Sequence, residues 1–402
     1  MPSHTFDPIA LLGSEAIQQW IQQNQLVDIN KLLLAKPVFP EVSNKDLAMQ
    51  LQALQKAKTK MPGWIETPGV VWPHVNNLAQ SSSEATALFK ATLPKGKKII
   101  DLTGGFGVDS WAFSKAGMQV VYVEKEVGLV ALAKHNFKSL NADIQIVEDD
   151  ALQLQFNHFS DADWVYADPL RRDDAGNRNY NPEDSLPNPI WVAIQALAAG
   201  KSVLLKLSPM ASIPKLVEAL PHVSDLYAVS LQHELKEILV VCRPVFADTP
   251  IFHAVQLLHQ FEPRQIYGTS DQALTRANIS PPLEYIFLPD ASVLKTGLTD
   301  LLAHDMGYSK LHHFSHVLTG NKLIENKPGR CFKLKAVLPS EAKKIKAIIP
   351  EGKATLLLRD VLATQEQIRK KTGLREGGEQ IVLATSIQKS EGILLWLEPL
   401  SN

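Results

Sequence analysis

The spacing of apolar residues changes along the chain and divides it into regions with different secondary structure. Residues 1–95 carry apolar positions at helical intervals, as in "IALLGSEAIQQWIQ" and "DLAMQLQALQKAKTK", which predicts an N-terminal helical region. In "QSSSEATALFKATL", Ser81 is followed three residues later by Glu84, a spacing that is typical of a capping box. We therefore expect a helix that begins near Ser81 and leads directly into the next region.

Short apolar runs replace the helical spacing in residues 96–248. Seven such runs, from "KKIIDLT" to "EILVVCR", alternate with helix-length segments, except that only the short "HELK" separates the last two. Apolar runs separated by helices indicate a parallel sheet covered on both faces, and a very short link requires an antiparallel hairpin. The pattern predicts an α/β domain with a seven-stranded, doubly wound, Rossmann-like sheet.

The remaining residues divide into two parts. In "FHAVQLLHQF" the apolar residues recur at helical intervals, and we predict that residues 249–325 form a helical connector region. Residues 326–402 then alternate as strand, helix, strand, helix, strand and strand, from "RCFKLKAVLP" to "GILLWLEPL". This order predicts a compact C-terminal α+β domain.

The composition is that of a globular protein with more than one domain. The chain has 402 residues, is 45% hydrophobic and 21% charged, and carries a net charge of -1, which excludes a disordered chain and gives no global sign of nucleic-acid binding. Residues 251–402 contain 19 Lys and Arg residues against 15 Asp and Glu residues. This excess of four positive charges suits a polyanionic partner but is too small to indicate one.

The sequence also indicates the compartment. Its two cysteines, Cys242 and Cys331, have no CxxC partner, which excludes a disulfide framework and a cysteine zinc site and fits a reducing environment. No apolar stretch approaches the roughly 20 residues of a membrane span, and "MPSHTFDPIA" lacks the pattern of a signal peptide. We predict a cytoplasmic protein without a membrane partner.

The segment "DLTGGFGVDS", residues 101–110, follows the first apolar run of the sheet region. Gly104, Gly105 and Gly107 allow the backbone of such a turn to approach a nucleotide-like ligand. Glu124 ends the second apolar run, 20 residues beyond Gly104, where a carboxylate can accept hydrogen bonds from ribose hydroxyls. Together these residues predict a cofactor site at the carboxyl edge of the sheet.

The turn departs from the pattern of dinucleotide-binding proteins. Read from Gly105 and Gly107, the third glycine position is Ser110, and Asp109 places negative charge where a pyrophosphate would bind. S-adenosylmethionine has an adenosine but no phosphate, and Asp101 is suited to face its cationic part. The sequence therefore favours S-adenosylmethionine, with a dinucleotide oxidoreductase as a distant alternative.

The third apolar run ends in "EDDA". Asp150 is placed to accept a hydrogen bond from an adenine amino group, and Ala151 offers backbone and a small contact surface. The alternative is that Asp149 and Asp150 cap a following helix.

The order of "DLTGGFG", "VEKE", "EDDA" and "ADPLRR" resembles the class I S-adenosylmethionine-dependent methyltransferases. More narrowly, "QSSSEATA", "DPLRR", "KLSPM", "HELKEIL" and the stretch from "LPDASVLKTGL" to "PGRCFKL" resemble bacterial methyltransferase-like proteins with a C-terminal THUMP-like domain. The resemblance covers most of residues 65–402. It implies RNA, either tRNA or rRNA, as substrate, because THUMP domains bind RNA in RNA-modifying enzymes. The predicted cofactor-binding residues are Gln80, Asp101, Thr103, Gly104, Gly105, Gly107, Asp109, Glu124, Asp150 and Ala151.

The fourth apolar run ends in "DPLRR", where methyltransferases of this class place the acceptor. Asp168 is suited to accept a hydrogen bond, or a proton, from an acceptor N–H, and Pro169 fixes the direction of the neighbouring carbonyl. Arg171 and Arg172 are candidates to clamp a phosphate or a base plane, although arginines on a polar loop are most often solvated or paired. We predict these four residues as the catalytic set.

The same loop argues against two kinds of methyl transfer. In enzymes that methylate exocyclic amino groups, the motif at this loop is typically Asn or Asp followed by two prolines and an aromatic residue. Here Leu170 and Arg171 stand at the last two positions of the motif. This departure weakens an adenine-N6 assignment. A covalent pyrimidine-C5 mechanism requires a cysteine near the loop, and Cys242 and Cys331 lie elsewhere in the predicted fold.

Three further features allow two interpretations each. Tyr180, in the long polar stretch "DDAGNRNYNPEDSLPNP", is a candidate for base stacking or for loop packing. Lys206, which ends the fifth apolar run, is either an ion-pair partner or part of the site. "HHFSH" places His312 and His316 one helical turn apart, but no acidic third ligand is evident, and we predict no metal.

Taken together, the sequence predicts an S-adenosylmethionine-dependent methyltransferase that acts on RNA by direct in-line methyl transfer. The alternatives are a small-molecule or protein methyltransferase of the same fold, or a non-catalytic RNA-binding protein with a degenerate methyltransferase domain. The methyl acceptor atom, the oligomeric state and the role of the N-terminal helices are left open.

Overall fold

The computed structural model describes residues 7–154, 160–171, 185–245, 249–258, 262–339, 341–387 and 391–400. Arg172 and Tyr180 lie outside these ranges. The chain forms two compact units: the first contains Met1–Val223 and Leu239–Phe246, and the second contains Ser224–Ile238 and Ala247–Asn402. None of the helices in the described ranges is long and apolar enough to cross a membrane.

The N-terminal part of the first unit is helical, as predicted. Its helices are α1 (Pro8–Leu12), α2 (Glu15–Gln23), α3 (Ile29–Leu34), α4 (Asn44–Lys60), α5 (Pro62–Ile65), α6 (Val75–Gln80) and α7 (Glu84–Ala91). The capping box expected at Ser81 is wrong. Ser81 instead follows the last residue of α6 and donates its hydroxyl to the Leu78 carbonyl at 2.9 Å, so Ser83 caps α7 by accepting from the Thr86 N–H at 3.2 Å.

The rest of the first unit alternates strands and helices. The elements are β1 (Lys98–Asp101), α8 (Val108–Lys115), β2 (Gln119–Glu124), α9 (Val127–Ser139), β3 (Ile144–Glu148), β4 (Trp164–Ala167), β5 (Leu170–Arg171), β6 (Ser185–Leu186), α10 (Pro189–Ala198), β7 (Ser202–Leu207) and α11 (Ile213–Ala219). The next strand, β8 (Val223–Leu231), belongs to the second unit from Ser224 onward, and β9 (Glu234–Cys242) belongs to the first unit only from Leu239. Five strands pair in parallel in the order β7-β4-β1-β2-β3. Their carboxyl ends therefore share one edge, as the α/β pattern predicted.

The sheet has two strands more than the seven predicted. Its hydrogen bonding continues from β7 through β9 and β8 to β10 (Ile251–Leu257) and β11 (Arg264–Thr269). The helix expected in "FHAVQLLHQF" is therefore wrong, because β10 satisfies its backbone by pairing in parallel with β8 and antiparallel with β11. Helical spacing in so short an apolar segment does not distinguish a helix from a buried strand.

The second unit continues with α12 (Ser270–Ala273), β12 (Tyr285–Pro289), α13 (Ala291–Thr296), α14 (Thr299–Met306), β13 (Ser309–Lys310), β14 (Leu318–Gly320), β15 (Gly329–Leu338), α15 (Ala342–Ile348), β16 (Thr355–Leu358), α16 (Gln365–Thr372), β17 (Ile381–Ile387) and β18 (Glu391–Pro399). The elements from β15 to β18 follow the predicted order. They share a seven-stranded sheet, β13-β14-β12-β15-β18-β17-β16, with strands that precede residue 326. Residues 249–325 are thus a mixture of strands and short helices, and describing them as a helical connector is wrong.

Candidate active site

A cleft of about 320 Å³ lies in the first unit, at the carboxyl edge of the parallel strands. Its walls are the turn after β1, the ends of β2 and β3, Asp168 after β4, and residues of α6 and of the α6–α7 link. The predicted cofactor residues that line it are Gln80, Thr103, Gly104, Gly105, Gly107, Asp109, Glu124, Asp150 and Ala151. The helical N-terminal region therefore contributes one wall of the cleft.

Glycine is required at the three positions of the turn for different structural reasons. A Cβ on Gly104 would lie 2.2 Å from the Tyr122 ring, and one on Gly107 would lie 2.7 Å from the Phe137 ring. At Gly105, which has φ +52°, the nearest described atom to such a Cβ is the Thr103 carbonyl oxygen, at 3.7 Å. Packing thus requires glycine at two positions, and only Gly105 combines a left-handed backbone with open space for a ligand.

Two side chains at β2 fix the turn in place. The Tyr122 hydroxyl donates to the Gly105 carbonyl at 2.8 Å, and Glu124 Oε2 accepts from the Gly105 N–H at 2.9 Å. Glu124 Oε1 accepts from the N–H groups of Lys125 and Glu126, each at 2.9 Å. Because a carboxylate oxygen has two acceptor positions, Oε2 retains one for a further donor in the cleft.

Asp101 lies outside the lining of the cleft. Its side chain is buried, with Oδ2 accepting from the Ser110 hydroxyl at 2.6 Å and Oδ1 from the Thr103 N–H at 3.0 Å. Burial, with a smaller contribution from nearby Asp109, raises the pKa of Asp101 to about 7. The geometry thus gives Asp101 a supporting place behind the turn rather than the predicted direct contact with a cation, and Ser110 serves as its hydrogen-bond partner.

Asp109 sits on the cleft wall and belongs to a buried polar cluster. Its Oδ2 accepts from the hydroxyls of Ser82 and Tyr166, each at 2.8 Å, and its Oδ1 lies 3.3 Å from Lys90 Nζ. Burial opposes ionisation of Asp109, but the ammonium groups of Lys90 and Lys206, together with the hydrogen bonds from Ser82 and Tyr166, outweigh it and hold the pKa of the carboxyl below its ordinary value. The wall of the cleft therefore carries a carboxylate at neutral pH.

Sequence reasoning missed Lys90, which is fully buried on α7. Its Nζ also donates to the Ser82 hydroxyl at 3.1 Å. The available signal was a lone lysine inside the apolar stretch "ATALFKATL", because lysine is almost never fully buried unless it is paired.

The acceptor end of the cleft is formed by Asp168. Its N–H donates to Thr103 Oγ1 at 2.7 Å, which ties the end of β4 to the turn after β1. Its Oδ2 is paired with Lys206 Nζ at the end of β7, so the ion-pair interpretation of Lys206 is the one that the structure shows. Pro169 follows outside the cleft lining, Arg171 is described only by its backbone in β5, and Arg172 falls outside the described ranges.

The end of β3 adds Asp150 and Ala151 to the lining. Asp150 Oδ1 accepts from the Leu152 N–H at 3.1 Å, and Oδ2 lies 3.5 Å from Lys125 Nζ. Residues 151–153 form a turn rather than a helix. Asp150 therefore caps a turn, which leaves its outer oxygen within reach of Lys125 and of the cleft.

The charge of the lining indicates the kind of ligand that fits. Among the described lining residues a single side chain, Lys125, is basic, whereas the carboxylates come from Asp109, Glu124, Glu126, Asp149, Asp150 and Asp168. Such a lining repels phosphates and suits a ligand with positive charge. S-adenosylmethionine, with its sulfonium and ammonium groups, matches this chemistry, and a dinucleotide does not.

The histidine cluster of the second unit is arranged by hydrogen bonds. The backbone N–H of His316 donates to Asp360 Oδ2 at 2.6 Å, and the ring nitrogen Nε2 of His312 lies 2.8 Å from the Ser386 hydroxyl. Asp360 is the acidic neighbour that the sequence did not reveal. Burial lowers the pKa of both histidines, and within the described ranges no three His, Cys, Asp or Glu side chains are placed to hold a metal ion.

The fold is that of a Rossmann-like methyltransferase with a C-terminal THUMP-like domain. Residues 329–399 match a family described as THUMP domain-like, and residues 285–328 match a family described as a ferredoxin-like domain. The first of these matches confirms the predicted THUMP-like domain. No curated protein matches the sequence.

Over nearly its whole length, the chain is similar to the crystal structure of a candidate methyltransferase from Porphyromonas gingivalis W83. The TM-score is 0.83 and the identity 26%, over 98% of this chain and 100% of the other. This similarity confirms the fold. A 16S rRNA N2 G1207 methyltransferase from T. thermophilus, in complex with AdoMet and guanosine, matches at 18% identity over 40% of this chain and 44% of its own, with a TM-score of 0.31, which is too low to carry an argument.

Proposed function

We propose that this protein is an S-adenosylmethionine-dependent methyltransferase that acts on RNA, either tRNA or rRNA. The observation that carries the proposal is the acid-lined cleft at the carboxyl edge of a parallel sheet, open over Gly105 and ending at Asp168. The methyltransferase fold shared with the Porphyromonas gingivalis protein supports the reaction class.

The chain's own residues supply the contacts that such a cofactor requires. Glu124 Oε2 accepts from ribose hydroxyls, Asp150 and Ala151 receive the adenine, and the Asp109 carboxylate faces positive charge. Gln80 and Thr103 complete the wall on either side of the turn. S-adenosylmethionine supplies a methyl group that is activated by its sulfonium.

Asp168 and its loop hold the acceptor. Where the acceptor carries an N–H, Asp168 accepts a hydrogen bond from it, or takes its proton, as the acceptor atom attacks the activated methyl group in line. The hydrogen bond from the Asp168 N–H to Thr103 Oγ1 and the ion pair between Asp168 and Lys206 hold the carboxylate in one orientation. Pro169, Arg171 and Arg172 belong to the same proposal, the two arginines as contacts to phosphate or base.

RNA is proposed as the substrate because the second unit contains the THUMP-like domain. The test is methyl transfer from radiolabelled S-adenosylmethionine to total RNA of cells that lack the protein, with protein and small-molecule fractions assayed in parallel. Label in RNA, followed by nucleoside analysis, is the expected result and identifies the acceptor atom. Label confined to another fraction contradicts the RNA substrate, and a protein that binds no cofactor in calorimetry contradicts the enzyme.

A further inference from the structure

Three aromatic side chains lie side by side on one face of three neighbouring strands in the second unit. The register pairs Tyr227 of β8 with His253 of β10, and His253 with Tyr267 of β11. The Tyr227 and His253 rings are stacked, with centroids 4.1 Å apart and planes at 13°, and the His253 and Tyr267 centroids are 5.6 Å apart at 32°. We call these three residues the aromatic ladder.

The aromatic ladder does not form the core of this part of the sheet. On the opposite face Leu226, Ala254 and Ile266 are buried, and further along the face of the aromatic ladder Val229 and Val255 are buried as well, whereas Tyr227 and His253 are only partly buried. Tyr267, by contrast, is 61% exposed. Cross-strand aromatic pairs stabilise a sheet by less than about 1 kcal/mol each, so packing alone gives little reason for an exposed tyrosine at the end of the stack.

The position of Tyr267 leaves the stack open at one end. β11 is the outermost strand of its sheet, and within the described ranges no further strand pairs beyond it. His253 lies against one side of the Tyr267 ring, which leaves the other side free of strands. A planar π-system added at this side would continue the stack in the same direction.

The centre of the aromatic ladder is held rigid. His253 Nε2 lies 3.0 Å from Asp225 Oδ1, and both side chains are largely buried. The hydrogen bond fixes the plane of the middle ring before any ligand arrives. Because the Asp225 carboxylate repels phosphate, the aromatic ladder favours a base over a phosphate group.

We propose that the aromatic ladder is a stacking site for an unpaired base of single-stranded RNA, with Tyr267 as the residue that contacts the base. The inference rests on the RNA substrate proposed above and adds a binding site in the second unit. Unpaired bases stack on aromatic side chains in proteins that recognise single-stranded RNA, whereas bases within a duplex are not accessible.

The test uses the full-length protein and a fluorescein-labelled, 12-nucleotide single-stranded RNA of mixed sequence. Fluorescence anisotropy gives the Kd for the wild type, Tyr267→Ala, Tyr267→Phe and a matched control, Phe314→Ala. Phe314 is an aromatic residue of the same unit, 79% exposed and outside the aromatic ladder. Circular dichroism and calorimetric cofactor binding establish that each variant is folded.

We expect Tyr267→Ala to raise the Kd about 5- to 100-fold, as for the loss of one stacked base. Tyr267→Phe and Phe314→Ala should remain within about twofold of the wild type, because the first keeps the ring and the second leaves the stack intact. The ratio between Tyr267→Ala and the wild type should persist at higher salt, since stacking releases no counterions. A duplex of the same length should bind more weakly.

Three results would overturn the proposal: an unchanged Kd for Tyr267→Ala, an equal loss for Phe314→Ala, or no binding of single-stranded RNA by the wild type. The proposed enzyme fails separately. If RNA is methylated but Tyr267→Ala binds like the wild type, the stacking site is wrong and the enzyme stands. If the Tyr267 variants show stacking but the protein binds no cofactor, the stacking site stands and the proposed enzyme is wrong.

Discussion

Replacing Lys90 by Met tests whether the buried ion pair on the cleft wall stabilises the first unit. Lys90 Nζ lies 3.3 Å from Asp109 Oδ1, and the two side chains are 0% and 11% exposed. At an effective dielectric constant of about 20, unit charges at this distance attract by about 5 kcal/mol. Removing one partner of a buried pair costs about 3–5 kcal/mol, because the other charge is left uncompensated.

We therefore expect Lys90→Met to lower the free energy of unfolding by about 3–5 kcal/mol. For a unit of this size, that corresponds to a thermal midpoint roughly 6 to 20 °C lower, measurable by circular dichroism. The hydrogen bonds from Ser82 and Tyr166 to Asp109 remain, which places the expected loss toward the lower end.

The matched control is the double variant Lys90→Met with Asp109→Asn. Because it removes both charges and keeps the side-chain shapes, at least half of the lost stability should return. The reasoning is refuted if Lys90→Met shifts the midpoint by less than a degree or two, or if the double variant is as unstable as the single one.

Three further predictions concern the same cleft. Gly104→Ala places a methyl group 2.2 Å from the Tyr122 ring, so the thermal midpoint should fall by the equivalent of about 1–3 kcal/mol; an unchanged midpoint contradicts the packing role. Asp101 has a pKa of about 7 in the folded protein, above its unfolded value, so its contribution to stability is complete below about pH 4. As the pH rises from 4 to 7, the free energy of unfolding should fall by about 4 kcal/mol, because the unfolded state ionises first. Urea unfolding at pH 4.5 and 8 should show this decline in the wild type and not in Asp101→Asn; equal declines contradict it. Lys206→Met leaves Asp168 without its ammonium partner, and methyl transfer to RNA should fall about 10- to 100-fold, with Lys206→Arg retaining more activity; an unchanged rate excludes a positioning role.

The fold class could be derived from local patterns. Apolar runs separated by helix-length segments predict a parallel sheet, and the interval between Gly104 and Glu124 places a turn and a carboxylate at one edge. The same reasoning failed for "FHAVQLLHQF", because a short apolar segment becomes helix or strand according to its partners, and β10 finds β8 and β11 on either side.

The sequence by itself determined the parallel strands, the glycine turn and ten of the 23 described residues that line the cleft. Only the tertiary structure decided why those residues are there: Gly104 and Gly107 make room for aromatic rings from β2 and α9, and Asp101 is buried behind the turn. It also brought Lys90 to Asp109 and Lys206 to Asp168. These contacts join residues that are distant in sequence, and periodicity and motif spacing report only on local structure, whereas burial and pairing depend on the whole chain.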